Sequence, residues 1–150
     1  MSNATVTEGH PTNLLYIVVD SELHDDVMRK FEEWLSALPT QRSWVIDSPE
    51  LIDYFDESGS SGDSSHTFGC VLRMYSALPP WGEKLPKEVD LQHLQEVEFL
   101  IEELAALSKQ SGCNFRVQLD RTPVGTIVRG ELDEGIKVGL LGEWRKAHGR

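Results

Sequence analysis

Leu14-Leu15-Tyr16-Ile17-Val18-Val19 is a continuous, partly β-branched apolar run closed by Asp20-Ser21. So short a run, without polar alternation, reads as a central strand buried on both faces. The period then changes. Leu23, Val27, Phe31, Trp34, Leu35 and Leu38 recur at three- and four-residue steps, which predicts an amphipathic helix capped by Ser21 and stopped at Pro39. Its other face carries Glu22, Asp25, Asp26, Glu32 and Glu33, with the acids of the first turn favoured by the helix dipole.

Working outward, Trp44-Val45-Ile46 reads as a short strand, and Ser48-Pro49-Glu50 as the opening of a helical turn through Leu51, Ile52, Tyr54 and Phe55. Residues 56–65 contain no apolar side chain, so nothing there offsets the entropy of ordering, and a mobile loop is expected over 56–66. Thr67 to Met74 resumes a β-like run that ends before Pro79-Pro80. A long helix is expected from Asp90, with Leu91, Leu94, Val97, Leu100, Ile101, Leu104 and Leu107 on one face and Gly112 as its stop. Phe115, Val117 and Leu119 alternate with Arg116 and Gln118 as a half-buried strand, and a turn at Asp120 to Pro123 leads into a hairpin partner over Val124 to Val128. The tail is ambiguous by period. Leu132, Ile136, Leu140 and Trp144 step by four, whereas Ile136, Val138 and Leu140 step by two. The cap at Asp133 and the cationic end Arg145-Lys146 favour helix.

Strand, helix, strand, strand, helix, strand is the split βαβ, or ferredoxin-like, order. The expected class is therefore α+β: a mostly antiparallel sheet, two main helices, an extra C-terminal hairpin strand and a terminal helix. At 150 residues and 39% apolar, the chain suits one core and one domain over 13–150. Residues 1–12 have no basic n-region and no apolar run, so they are expected to be a flexible N-terminus rather than a signal peptide or anchor. A cytoplasmic protein with Cys70 and Cys113 reduced follows from the same features.

Charge is distributed unevenly. The first 63 residues hold thirteen of the 25 carboxylates beside only Arg29, Lys30 and Arg42, a net charge of −10, whereas the remainder nearly balances. Such a field repels nucleic acid and anionic membrane and speeds association with basic proteins. Two clusters stand out: Asp20, Glu22, Asp25 and Asp26 where the first strand gives way to the first helix, and Asp47, Glu50, Asp53, Asp56 and Glu57 after the expected second strand. In split βαβ order these two strands run parallel, so both clusters are expected at one end of the sheet, which also gathers the aromatic residues Tyr54 and Phe55, with Tyr54 as an anchor. The expected partner is a basic protein, with a toxin or nuclease as the natural case because nucleases need positive clefts.

Other chemistries find less support. His10, His24, His66, His93 and His148 show no close metal-ligand pairing, and no cofactor or metal site is expected. His66 and Cys70 share a strand face but stand about 13 Å apart by strand rise. No catalytic residue is assigned, and a small enzyme using Cys70 or His66 is a lesser alternative. The nearer alternative, ahead of that enzyme, is a structural or regulatory module that pairs edge strands into a homodimer.

The ending, Gly125-Thr126-Ile127, Gly130, Asp133 and Gly139-Leu140-Leu141-Gly142-Glu143-Trp144, resembles the C-terminal part of small proteins of bacterial toxin systems, including immunity proteins of contact-dependent inhibition. The resemblance covers about 20 residues that shape the hairpin and final helix. It implies a class only: a small acidic inhibitor that binds a cognate toxin domain and blocks it sterically and electrostatically.

Overall fold

The computed structural model of the chain describes residues 6, 8–56 and 65–149. The strands are β1 (Thr12–Val19), β2 (Glu50–Asp56), β3 (Ser65–Tyr75), β4 (Phe115–Leu119), β5 (Thr122–Val128) and β6 (Glu131–Leu132). The helices are α1 (Asp25–Gln41), α2 (Lys87–Ser111) and α3 (Glu143–Ala147), the last preceded by a wide, π-type helical segment over Gly135–Gly142.

One six-stranded sheet has the order β2-β3-β1-β4-β5-β6, and every neighbouring pair is antiparallel. The first four strands reproduce the split βαβ arrangement expected from the sequence. The run at 14–19 is indeed central, hydrogen-bonded to β3 on one side and β4 on the other, but it is not buried on both faces as expected: helices cover one face only, and Tyr16 and Val18 line a depression on the other. Leu15 and Ile17 of β1, Phe68, Cys70, Leu72 and Met74 of β3, and Phe115 and Val117 of β4 are buried beneath the helices. α1 closes this face with Val27, Phe31, Leu35 and Leu38, and α2 with Leu94, Val97, Leu100, Ile101 and Leu104. The Phe31 ring lies 5.3 Å from Phe68 and 6.2 Å from Phe115, so one aromatic side chain locks a helix to two strands.

Several local expectations are corrected. Ser21 does not cap α1. Its hydroxyl accepts the Asn114 backbone N–H at 3.0 Å, tying the β1–α1 connection to the start of β4, while α1 begins at Asp25 with no side-chain cap. Pro39 lies inside the last turn of α1, which runs on to Gln41. α2 starts at Lys87, directly after Pro86, and ends at Gly112, whose φ of 75° is the left-handed conformation that stops a helix. His10, placed by expectation in a flexible stretch, is buried, and its Nε2 is 2.7 Å from the Ser76 carbonyl oxygen.

The largest correction concerns the second strand. Trp44-Val45-Ile46 is not a strand, and residues 50–56, expected to open as a helical turn, pair with β3 over seven positions. Trp44 instead packs its ring 6.2 Å from Phe99 of α2 and donates from Nε1 to the Leu38 carbonyl, so its apolar surface is spent on the helices. The mobile-loop expectation for 56–66 is narrowed at both ends, where Asp56 pairs with Ser65 and Phe55 with His66; residues 57–64 lie outside the described residues.

At the C-terminus the helical reading of the tail holds. The Asp133 carboxylate accepts the Ile136 N–H at 3.2 Å, as a cap does, and also the Thr126 N–H at 2.9 Å. The residues that suggested the resemblance are thus bound into one corner, where a Cβ on Gly125 would meet the Asp133 carboxylate and one on Gly135 would meet the Val124 carbonyl. The two-residue strand β6, not anticipated, arises from a tight turn at Arg129-Gly130, both with positive φ.

Candidate functional site

Register places the acidic residues. Ile52 and Val18 both pair with Gly69, so the three stand in one row across β2, β3 and β1. Since β2 and β1 run parallel, Asp53, Tyr54 and Asp56 continue toward the same end of the sheet as Val19 and Asp20. Glu22, Asp25 and Asp26 follow at that end, exposed at the entry to α1. The shared end inferred from topology therefore gathers Asp20, Glu22, Asp25, Asp26, Asp53, Tyr54 and Asp56.

Asp47 and Glu50 do not join it. Because β2 begins at Glu50 rather than ending at Ile46, Glu50 sits level with Tyr16 across Val71, in the middle of the sheet, and Asp47 precedes the strand beside Leu14 and Arg73. Glu57 lies outside the described residues.

β2 is an edge strand, with β3 on one side and no strand on the other among the described residues. Leu51 is 43%, Tyr54 56% and Phe55 61% exposed, so half of the large hydrophobic side chains left open on the described surface sit in this one strand. Scattered apolar residues need no explanation, but along this unpaired edge Leu51 and Phe55 stand open on the helix side and Tyr54 on the other, so both flanks of the edge carry exposed apolar surface. Sequence reading gathered Phe55 with Tyr54 at the acidic end but missed Leu51 as a surface residue, because it placed the segment in a helical turn. Strand periodicity was the signal that could have found it.

On the helix side of this edge the Asp53 carboxylate lies 2.5 Å from Nε2 of His66, and the Phe55 ring stacks on the imidazole at 4.1 Å. The pair fastens Asp53 in place and leaves it 37% exposed. Beside it, Glu32, Leu35, Ser36 and Pro39 of α1 with Ser48, Pro49 and Leu51 line a groove of about 510 Å³.

The opposite, open face of the sheet differs in charge. Tyr16, Val18, Ile52, Tyr54 and Thr67 line a shallow depression of about 320 Å³ together with Arg116, Gln118, Asp120 and Arg121. Arg116 stands 3.6 Å from Asp20, with both side chains about half exposed. Two arginines and one aspartate there give the depression mixed charge, unlike the one-signed cluster at the end of the sheet.

The thiol-based alternative meets a chemical obstacle. Cys70 is buried beneath the helices, and burial pushes its thiol up to about 12, so the nucleophilic thiolate is scarce near neutrality. Burial also raises the Cys113 thiol, a shift that the Ser21 hydroxyl partly offsets. His66 is engaged with Asp53 rather than with Cys70. No group of three or more His, Cys, Asp or Glu side chains among the described residues is arranged to hold a metal ion. No helix among them is long and apolar enough to cross a membrane.

No protein-family model, curated protein or solved structure matches the chain.

Proposed function

We propose that the chain is an acidic inhibitor of the immunity type, which binds a basic protein, such as a toxin or nuclease domain, and blocks it sterically and electrostatically. The observation that carries this reading is the edge strand β2, where the exposed Leu51, Tyr54 and Phe55 stand among Glu50, Asp53 and Asp56. Aromatic and apolar anchors inside a field of one sign are what a protein interface needs: the apolar groups supply affinity and the charges supply encounter rate and register. Individual exposed pairs contribute little, but a collective field raises association rates by orders of magnitude at low salt.

The experiment is co-purification from the native host at low and then high salt, with mass spectrometry of what stays bound. Stoichiometric recovery of one basic protein, weakened by salt, supports the reading. Reversal of Glu50 and Asp53 to lysine should then slow complex formation far more than reversal of Glu102 and Glu103 on α2, which changes net charge equally. Equal slowing would remove the proposed face.

The unpaired edge also favours a second reading, a module that self-associates through β2. Sedimentation of the purified chain distinguishes it: a dimer insensitive to salt supports self-association, and a monomer supports the acidic inhibitor.

A further inference from the structure

The two edges of the sheet are finished differently. β6 is two residues long, and the chain turns from it directly into the helical segment Gly135–Gly142, whose Ile136 packs in the core. That edge is closed by shortness and by cover, both ordinary protections against strand addition. β2 is seven residues long and pairs with β3 without a shift in register. Its sequence, Glu-Leu-Ile-Asp-Tyr-Phe-Asp, contains no proline and no lysine. On such a strand alternate residues turn their N–H and C=O away from β3, and this outer row has no strand partner among the described residues.

We infer that β2 receives an extended, cationic strand of the partner, which extends the sheet by one strand. The inference rests on the acidic-inhibitor reading and adds the mode of docking. Charge complementarity selects the occupant. On the helix side of β2 the side chains run Leu51, Asp53, Phe55, and the groove between α1 and Pro49 opens beside Leu51. An added strand therefore presents apolar residues beside Leu51 and Phe55 and a lysine or arginine beside Asp53. On the open side, Glu50 takes a second cation, while Ile52 and Tyr54 take apolar or β-branched neighbours. Main-chain hydrogen bonds supply the affinity in this mode, and the alternating side chains supply the selection. A second copy of this chain is a poorer occupant: a two-fold pairing centred on Asp53 sets Asp53 against Asp53 and Glu50 against Asp56, and each copy brings a net charge of −11.

The test uses the full chain and a short synthetic peptide in which lysine recurs at every third position with valine and threonine between, so that lysines face Glu50 and Asp53, beside a control of the same sequence N-methylated at every backbone nitrogen. The control keeps the charge and cannot form a ladder. The unmodified peptide is expected to slow amide hydrogen exchange within residues 50–56, and the control to bind at least about tenfold more weakly, the equivalent of losing one or two net hydrogen bonds. Leu51→Lys and Phe55→Lys, both at exposed sites, should leave the chain folded and reduce peptide binding. Equal binding of both peptides, with protection absent from 50–56, would overturn strand addition and leave electrostatic docking standing. Binding of neither peptide at low salt would overturn both. A salt-stable dimer with 50–56 already protected in the free chain would assign the edge to a second copy and overturn the cationic strand.

Discussion

The Glu96 carboxylate, buried on α2, accepts the backbone N–H of Val45 at 2.7 Å. Its other oxygen lies 3.1 Å from Nδ1 of His93, and His93 Nε2 accepts the Tyr75 N–H at 3.1 Å. Because Nε2 is an acceptor, the ring proton sits on Nδ1 and is donated to Glu96. One acid thus holds the loop before β2 and, through one imidazole, the end of β3. Glu96→Ala leaves two buried donors unpaired and should cost about 2–5 kcal/mol in urea unfolding. Glu96→Gln, which keeps one acceptor and sets an NH2 against a donor, should cost less than half of that. An unchanged midpoint in Glu96→Ala would show that the network does not hold the loop.

That anchor explains which parts of the fold were legible in the sequence. Both amphipathic helices and the half-buried β4 follow from periodicity, because one buried face imposes its repeat on the residues, whereas the central strand at 14–19 follows from an unbroken apolar run and the antiparallel order from the succession of elements. The second strand does not, since Trp44-Val45-Ile46 has strand composition but its backbone is claimed by Glu96 and its ring by Phe99. The true β2 carries too few buried positions to print a pattern, as an edge strand does. The site was legible to the same depth. Parallel β1 and β2 bring Asp20 and Asp53 to one end, while the misplaced strand assigned Asp47 and Glu50 to that end as well.

Cys70 gives a pH dependence with a definite sign. Its thiol titrates near the ordinary 9.0 when unfolded and near about 12 when folded, so between these values the unfolded chain has lost a proton that the folded chain keeps. Stability contributed by the buried thiol is complete below pH 9 and declines as pH rises toward 12, by at most about 1.4 kcal/mol per pH unit. Chemical denaturation from pH 8 to pH 10.5 should show a steeper decline in the wild type than in Cys70→Ala. Identical slopes would place the alkaline loss elsewhere. A thiol reagent at pH 7.5 should label Cys70 only on unfolding.

Gly125 and Gly135 test the C-terminal corner. An alanine at Gly125 sets its methyl group against the Asp133 carboxylate, and one at Gly135 against the Val124 carbonyl oxygen, and neither neighbour can retreat without losing the cap or the hairpin. Each replacement should lower stability by about 1–3 kcal/mol, the usual cost of overpacking. Gly139 has open space where its Cβ would lie and a backbone compatible with a side chain. Gly139→Ala should raise stability by about 0.4–1 kcal/mol through the unfolded chain's entropy. Opposite signs within one glycine-rich segment, read from thermal midpoints, are the expected result. A destabilising Gly139→Ala would mean that the wide-turn helix itself requires glycine there.

α3 is fastened by polar contacts to α2 rather than by a deep apolar face, since none of its residues is buried. Trp144 Nε1 donates to Asp90 Oδ2 at 3.0 Å, His148 Nε2 lies 2.6 Å from the same oxygen, and Arg145 pairs with Glu98 at 2.7 Å. Five residues are too short to hold a helix alone, so α3 depends on these anchors. Asp90→Ala removes the acceptor shared by Trp144 and His148 and should release the helix locally, with hydrogen exchange rising over residues 143–149. Asp90 is half-buried at the surface of the core cluster, so the global midpoint should fall by only about 1–2 kcal/mol. Local and global loss in equal measure would show instead that the terminal helix unfolds together with the sheet, which would make the last turn of the chain part of the cooperative core.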